Sequence, residues 1–130
     1  LNLLDENFPA DQAALLREWR IPCRQIGHGV ARLGTQDADI IPLLHQFRRV
    51  TLFTLDEDFH KRRLCHPAYC LAWLDVRADD AALTVRRFLR HPRFDSEAKR
   101  MGLVARLSDT GVHFWQRNQT VKQHAGWSRN

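Results

Sequence analysis

Apolar runs alternate with amphipathic stretches over the first two thirds of the chain, and each change of period marks an element. Residues 1–4 form a short apolar run that stops abruptly at Asp5, Glu6 and Asn7, the pattern of a buried strand ending in acids. Pro9 opens a helical pattern through Arg20, with Leu15, Leu16 and Trp19 at packing positions. Residues 23–27 predict a second, weaker strand, followed by a glycine-bearing loop (Gly27, Gly29, Gly34). Residues 37–48 predict a helix that turns Ile40, Ile41, Leu44 and Phe47 inward. Residues 50–55 are the clearest strand, β-branched and apolar, and Asp56, Glu57 and Asp58 end it. A short helix through Arg63 leads to another apolar run, 69–74, which ends at Asp75. Asp79 or Asp80 then caps a helix with an apolar face of Ala82, Val85, Phe88 and Leu89. Its last turn is basic (Arg86, Arg87, Arg90), as the helix dipole favours, and His91 and Pro92 stop it.

Strands alternating with helices predict parallel pairing with helices on both faces, an α/β three-layer sandwich around a mostly parallel sheet. After Pro92 the alternation lapses. Residues 103–107 and 112–115 flank Ser108, Asp109, Thr110 and Gly111, which reads as a C-terminal β-hairpin with a four-residue loop. Beyond Arg117 the chain is polar, Trp127 is isolated, and partial disorder is expected. The expected organisation is a domain over 1–94 and a basic C-terminal extension over 95–130 carrying the hairpin, within one compact unit. Open parallel sheets bind ligands beyond the carboxyl ends of their strands. Three strands here end in carboxylates at that edge, which is the main functional signal.

A chain of 130 residues, 44% hydrophobic and 27% charged, suits one globular domain. No apolar run reaches the roughly eighteen residues needed to span a membrane, and the first apolar run carries no basic flank or small-residue cleavage site, so a signal peptide is not expected. Cys23, Cys65 and Cys70 cannot all pair with one another and match no standard zinc spacing, so the expected setting is the reducing cytoplasm. The net charge of +5 is uneven: ten Lys or Arg against three acids from Arg86 onward give +7, leaving −2 before it. Clustered positive charge suits a polyanionic ligand or an acidic partner, and a solvated basic tail accounts for it equally well.

Asp5 and Asp56 come off near-neighbouring strands at one edge, Asp58 lies a turn further on, and Glu6 and Asp37 could approach from adjoining loops. Carboxylates held together repel unless something positive neutralises them. A hard divalent cation does so, and Mg²⁺ keeps waters in its shell that can attack a phosphodiester. The plainer alternative is that each acid caps a helix. Pro42 is tolerated in a first turn but costs about 3 kcal/mol in a helix interior, which favours a helix starting near Asp39, with Asp39 as cap and Asp37 in the loop. For Asp5 and Asp56, strand-end acids with no packing role, function is favoured over capping; for Asp58 and Asp37 the two readings stand nearly even.

The segment Leu3-Leu4-Asp5-Glu6-Asn7, Asp37 opening a middle helix, and Thr54-Leu55-Asp56-Glu57-Asp58-Phe59 together resemble the PIN-like domains of a small, poorly characterised branch related to VapC toxins. Members show a DEN box after the first strand, an Asp at the start of a middle helix, and a T-x-D-x-DF box. The likeness covers about residues 1–94. It implies a PIN-like fold and a Mg²⁺- or Mn²⁺-dependent ribonuclease, often the toxin half of a toxin–antitoxin pair. Carried over, Asp5, Asp37, Asp56 and Asp58 form the acidic cluster, with Asp5, Asp56 and Asp58 holding the metal. Glu6 belongs to the DEN box, but strand alternation could point it away. RNA is then the substrate, with Arg86, Arg87, Arg90 and Arg93 binding its backbone. The resemblance also allows a cognate antitoxin protein or a homodimer as partner.

Other features read more plainly. The run Cys65-His66-Pro67-Ala68-Tyr69-Cys70, with His60 nearby, is a turn into a buried strand rather than a metal site. His28 is a loop histidine, and Gly27-His28-Gly29 lacks the Lys and Ser/Thr of a phosphate-binding loop. Phe114, Trp115 and Arg117 could stack on bases but are expected to pack on the domain. Two other functions fit the acids: a PIN-like module that binds RNA or protein without cutting, and a phospho-receiver-like signalling domain. The receiver needs a Ser/Thr after the fourth strand and a Lys after the last, which this chain lacks.

Overall fold

The computed structural model describes residues 1–27 and 37–127, with residues 37–39 described through their backbone alone. His28, Gly29, Gly34, Arg129 and the side chains of Asp37 and Asp39 lie outside the described residues. Seven strands form one sheet: β1 (Asn2–Leu4), β2 (Arg24–Gln25), β3 (Val50–Thr54), β4 (Tyr69–Leu74), β5 (Val104–Ser108), β6 (Gly111–Trp115) and β7 (Gln123–Ala125). Their order is β2-β1-β3-β4-β5-β6-β7. The first five are mutually parallel, β6 runs antiparallel to β5, and β7 runs antiparallel to β6. Helices α1 (Ala10–Glu18), α2 (Asp37–Leu44), α3 (Ala81–Arg90) and α4 (Glu97–Arg100) complete the α/β sandwich.

The period-2 alternation of the strands sorts the core into two layers. Leu4, Phe53, Ala72, Ala105 and Phe114 stand opposite one another across the sheet and pack under α1 and α3. Leu3, Leu52, Leu71 and Val104 occupy the other face, where Ile40 and Leu44 of α2 and Phe59 cover them. These faces are called here the α1/α3 face and the α2 face.

The crossovers carry an unusual feature. The β1–β2 connection steps one way along the sheet and the β4–β5 connection steps the other, yet α1 and α3 lie on the same face. The two crossovers therefore have opposite hands, although right-handed connections dominate parallel sheets. Arg100 of α4 holds the second crossover down: its buried guanidinium donates to Thr51 Oγ1 of β3 (3.0 Å) and to the Phe94 carbonyl (2.7 Å).

Several expectations need correction. The hairpin continues the main sheet, because β5 pairs in parallel with β4. Its loop is two residues, Asp109 and Thr110, since Ser108 pairs with Gly111. Gly111 has φ +133°, and a Cβ there would lie 2.4 Å from the Ala125 carbonyl oxygen, so the turn under β7 requires glycine. The segment expected to be disordered forms β7, and Trp127 Nε1 donates to the Ser108 carbonyl at 2.7 Å. The helix expected through Arg63 is a pair of 3-10 turns, Glu57–Phe59 and Arg62–Leu64. α2 begins at Asp37 rather than near Asp39 and keeps Pro42 in its interior. Asp80 precedes α3 without capping it; the Ala82 N–H is met by Gln12 Oε1 of α1 at 2.9 Å. Cys23, Cys65 and Cys70 are all free thiols. Among the described residues no helix is long and apolar enough to cross a membrane.

Candidate active site

The chain leaves β1 toward one edge of the sheet and leaves β3 toward the other, so the crevice between their carboxyl ends is the topological switch point, the usual ligand position in such sheets. Asp5 follows β1 and Asp56 lies two residues after β3. Both line a cleft of about 40 Å³ there, with Glu6, Asn7, Ile40, Leu52 and Phe59. Glu6 thus lies at the cleft, although strand alternation could have pointed it away.

Thr54, the last residue of β3, organises the pair. It is fully buried, and its hydroxyl donates to Asp5 Oδ2 at 2.5 Å while accepting from the Asp56 backbone N–H at 3.1 Å. One side chain therefore sets both the carboxylate of one acid and the backbone of the other. Asp5 Oδ1 accepts from Asn7 N (3.0 Å), and Oδ2 lies 3.4 Å from Leu55 N. Gln25 of β2 donates its Nε2 to the Asp5 and Phe8 carbonyls, both at 3.1 Å, pinning the turn that follows β1. Burial pushes the Asp5 carboxyl above its ordinary value, and the bonds from Thr54, Leu55 and Asn7 only partly oppose this.

Capping explains part of the acidic pattern. Asp56 Oδ1 accepts from Asp58 N at 2.9 Å and so caps the first 3-10 turn. Asp5 caps no helix, because Pro9 precedes α1. Asp58 is exposed and does not line the cleft. The side chain of Asp37 lies outside the described residues, but Ile40, one turn along α2, borders the cleft. Among the described residues no three His, Cys, Asp or Glu side chains come close enough to hold a metal together. The donor set still fits a hard cation: carboxylate oxygens alone, with lone pairs left over on Asp5 and Asp56, in a space that admits an ion only if water supplies much of its shell.

The predicted backbone-binding arginines lie elsewhere. Arg86, Arg87 and Arg90 line a hollow of about 630 Å³ with Leu83, His91, Pro92 and Trp127, on the α1/α3 face. Arg86 stacks on Trp19 at 3.9 Å and Arg87 on Trp127 at 4.6 Å. Arg93 lies over Phe114 and reaches Gln123 Oε1 at 3.4 Å. The cleft opens on the α2 face, so the sheet separates these arginines from the acids. Thr54 and Gln25 are the residues that sequence reasoning passed over. Thr54 was visible as the T of T-x-D-x-DF, whereas nothing in the pattern marked Gln25. Comparison with protein-family models, curated proteins and solved structures finds no match.

Proposed function

We propose that this chain is a metal-dependent endoribonuclease that uses Mg²⁺ or Mn²⁺ at the Asp5–Asp56 cleft. The carrying observation is the placement of these two carboxylates in one cleft at the switch point, with the buried hydroxyl of Thr54 linking them. A carboxylate kept partly desolvated, with no cationic side chain beside it among the described residues, is poised for a cation from solution. When bound, the metal would supply an activated water and charge stabilisation at the scissile phosphate. Asp5 and Asp56 would bind it, Thr54 and Gln25 would hold Asp5 in place, and Asp58 and Asp37 would complete or orient the site. The toxin role, with an antitoxin or a second copy of the chain as partner, rests on the resemblance alone.

A second reading has its own support. The carboxylates of Asp5 and Asp56 are engaged by local donors, which suits a PIN-like module that binds RNA or protein without cutting it. The β2-β1-β3-β4-β5 order is shared with receiver domains, but Asp75 follows β4 and Asp109 follows β5, where a receiver needs Ser/Thr and Lys. The deciding experiment is cleavage of a mixed RNA pool with added Mn²⁺. Cutting that requires metal and vanishes in both Asp5→Asn and Asp56→Asn is expected. Intact RNA with the native chain, or equal cutting by the variants, favours the non-catalytic module.

A further inference from the structure

We propose that the open α2 face of β4–β7 binds single-stranded polynucleotide, with bases stacking on Trp73 and Trp115 and phosphates meeting Arg106 and Lys122. The proposal deepens the nuclease reading and rests on it only for the direction in which the strand would run, toward the acid cleft.

The surface exists because of the crossover. Had the β4–β5 connection the hand of β1–β2, α3 would lie on this face. Instead α3 lies behind the sheet, and among the described residues the α2 face from β4 outward has little cover besides the segment of the two 3-10 turns. One row of side chains crosses it in register: Thr54 opposite Trp73, Trp73 opposite Arg106, Arg106 opposite His113, His113 opposite His124. Thr54 carries the row to Asp5 through its hydrogen bond. At about 4.8 Å per strand, five steps from β1 to β7 span about 24 Å.

The chemistry of the row interleaves rings and cations. His60 lies against both indoles, with ring centroids 5.5 Å from Trp73 and 4.8 Å from Trp115. Arg106 sits 5.8 Å from the Trp73 ring, Lys122 sits 4.4 Å from the Trp115 ring, and His113 stacks on His124 at 4.4 Å. Asp75 pairs with Arg106 at 2.8 Å; exposed Lys122 has no ion-pair partner among the described residues. Between Gln116 and Trp127 the chain has two cations, Arg117 and Lys122, and no acid. Cations beside partly buried indoles fit a strand whose phosphate and base must be met together. A duplex hides its bases and would engage only the cations, and an acidic peptide has no use for the rings.

The test is binding of labelled oligonucleotides about ten nucleotides long, followed by fluorescence anisotropy with EDTA present so that nothing is cut. Single-stranded RNA, single-stranded DNA and duplex RNA are compared, with polyglutamate as competitor. The native chain is expected to bind single strands more tightly than duplex and to resist polyglutamate. Trp73→Ala should weaken binding roughly tenfold, and Trp73→Phe should restore most of it, which separates stacking from misfolding. Lys122→Ala should lower the slope of log affinity against log salt by about 0.7. Arg87→Ala, on the opposite face, should bind like the native chain. Preference for RNA over DNA, or equal binding of both, supports the surface, the first adding a 2′-hydroxyl contact. Absent binding, duplex bound as tightly, full displacement by polyglutamate, or native-like binding by both Trp73→Ala and Lys122→Ala overturns it. Asp5→Asn should still bind; a native chain that binds but leaves RNA intact with Mn²⁺ sinks the nuclease reading alone, and cutting without this binding sinks the surface alone.

Discussion

His60 lies against Trp73 and Trp115 with both ring nitrogens buried, and neither completes a hydrogen bond among the described residues. Burial lowers its pKa to about 4, with Lys122, Arg106 and His113 adding repulsion, while the Ala105 backbone opposes the shift. Between the ordinary value of 6.5 and about 4 the unfolded chain binds this proton and the folded chain does not. Stability from this group is therefore constant above pH 6.5 and falls as the pH drops toward 4. The His60 ring resonances in an NMR titration should stay those of the neutral imidazole until well below pH 6, and a midpoint near 6.5 would refute this. In His60→Phe the ring stays stacked and the proton site is gone, so its stability relative to the native chain should improve as pH falls from 6.5 to 4. At this level the sequence was informative where a residue's role follows from its neighbours in the chain. Asp5 and Asp56 were legible as strand-end acids. The roles of Thr54 and His60 were not, because they depend on which strands pair and in what register.

The same distinction runs through the helices and strands. α3 was legible from its apolar stripe, yet its N-terminal bonding was not, because the cap comes from another helix. Gln12 is buried in α1 and accepts from Ala82 N at 2.9 Å. Gln12→Leu keeps the volume and removes the acceptor, leaving a buried N–H unpaired. The expected cost is about 1–3 kcal/mol in a urea unfolding experiment. Gln12→Glu should cost less at neutral pH, since a carboxylate also accepts and suits a helix N-terminus, although its burial offsets part of this gain. A Gln12→Leu variant as stable as the native chain would show that water meets the Ala82 N–H instead. β7 was missed for a related reason: Gln123, His124 and Ala125 carry no strand-like apolar pattern. Their pairing depends on β6 beside them and on Trp127 bonding to Ser108.

The parallel α/β class could be read from alternation, but the hand of a crossover leaves no trace in hydrophobic period, and here it decides which face stays open. It also decides what the C-terminal part does for the core. The region matched by the resemblance stops at about residue 94, as though β5–β7 were an addition. In the structure, Ala105, Leu107, Val112, Phe114 and Ala125 are buried in the same cluster as α1 and α3. Phe94 stacks on Phe88 at 5.0 Å and meets Phe114 edge-on at 5.3 Å. A fragment ending at residue 94 would bare Phe88 and Phe94, leave β4 as an unpaired edge, and lose the Arg100 bonds to Thr51 and Phe94. Each large core side chain exposed in this way costs about 1.5–3 kcal/mol, so losing several removes an amount comparable with the 5–15 kcal/mol that holds a typical domain. The fragment 1–94 should therefore show no cooperative urea transition and a collapsed range of amide shifts, whereas 1–127 should unfold in one step. A well-dispersed spectrum and a single transition from 1–94 would mean that α1, α3 and the first four strands close a core by themselves. The open face of β5–β7 would then be a module placed beside the acid cleft rather than part of the scaffold that builds it.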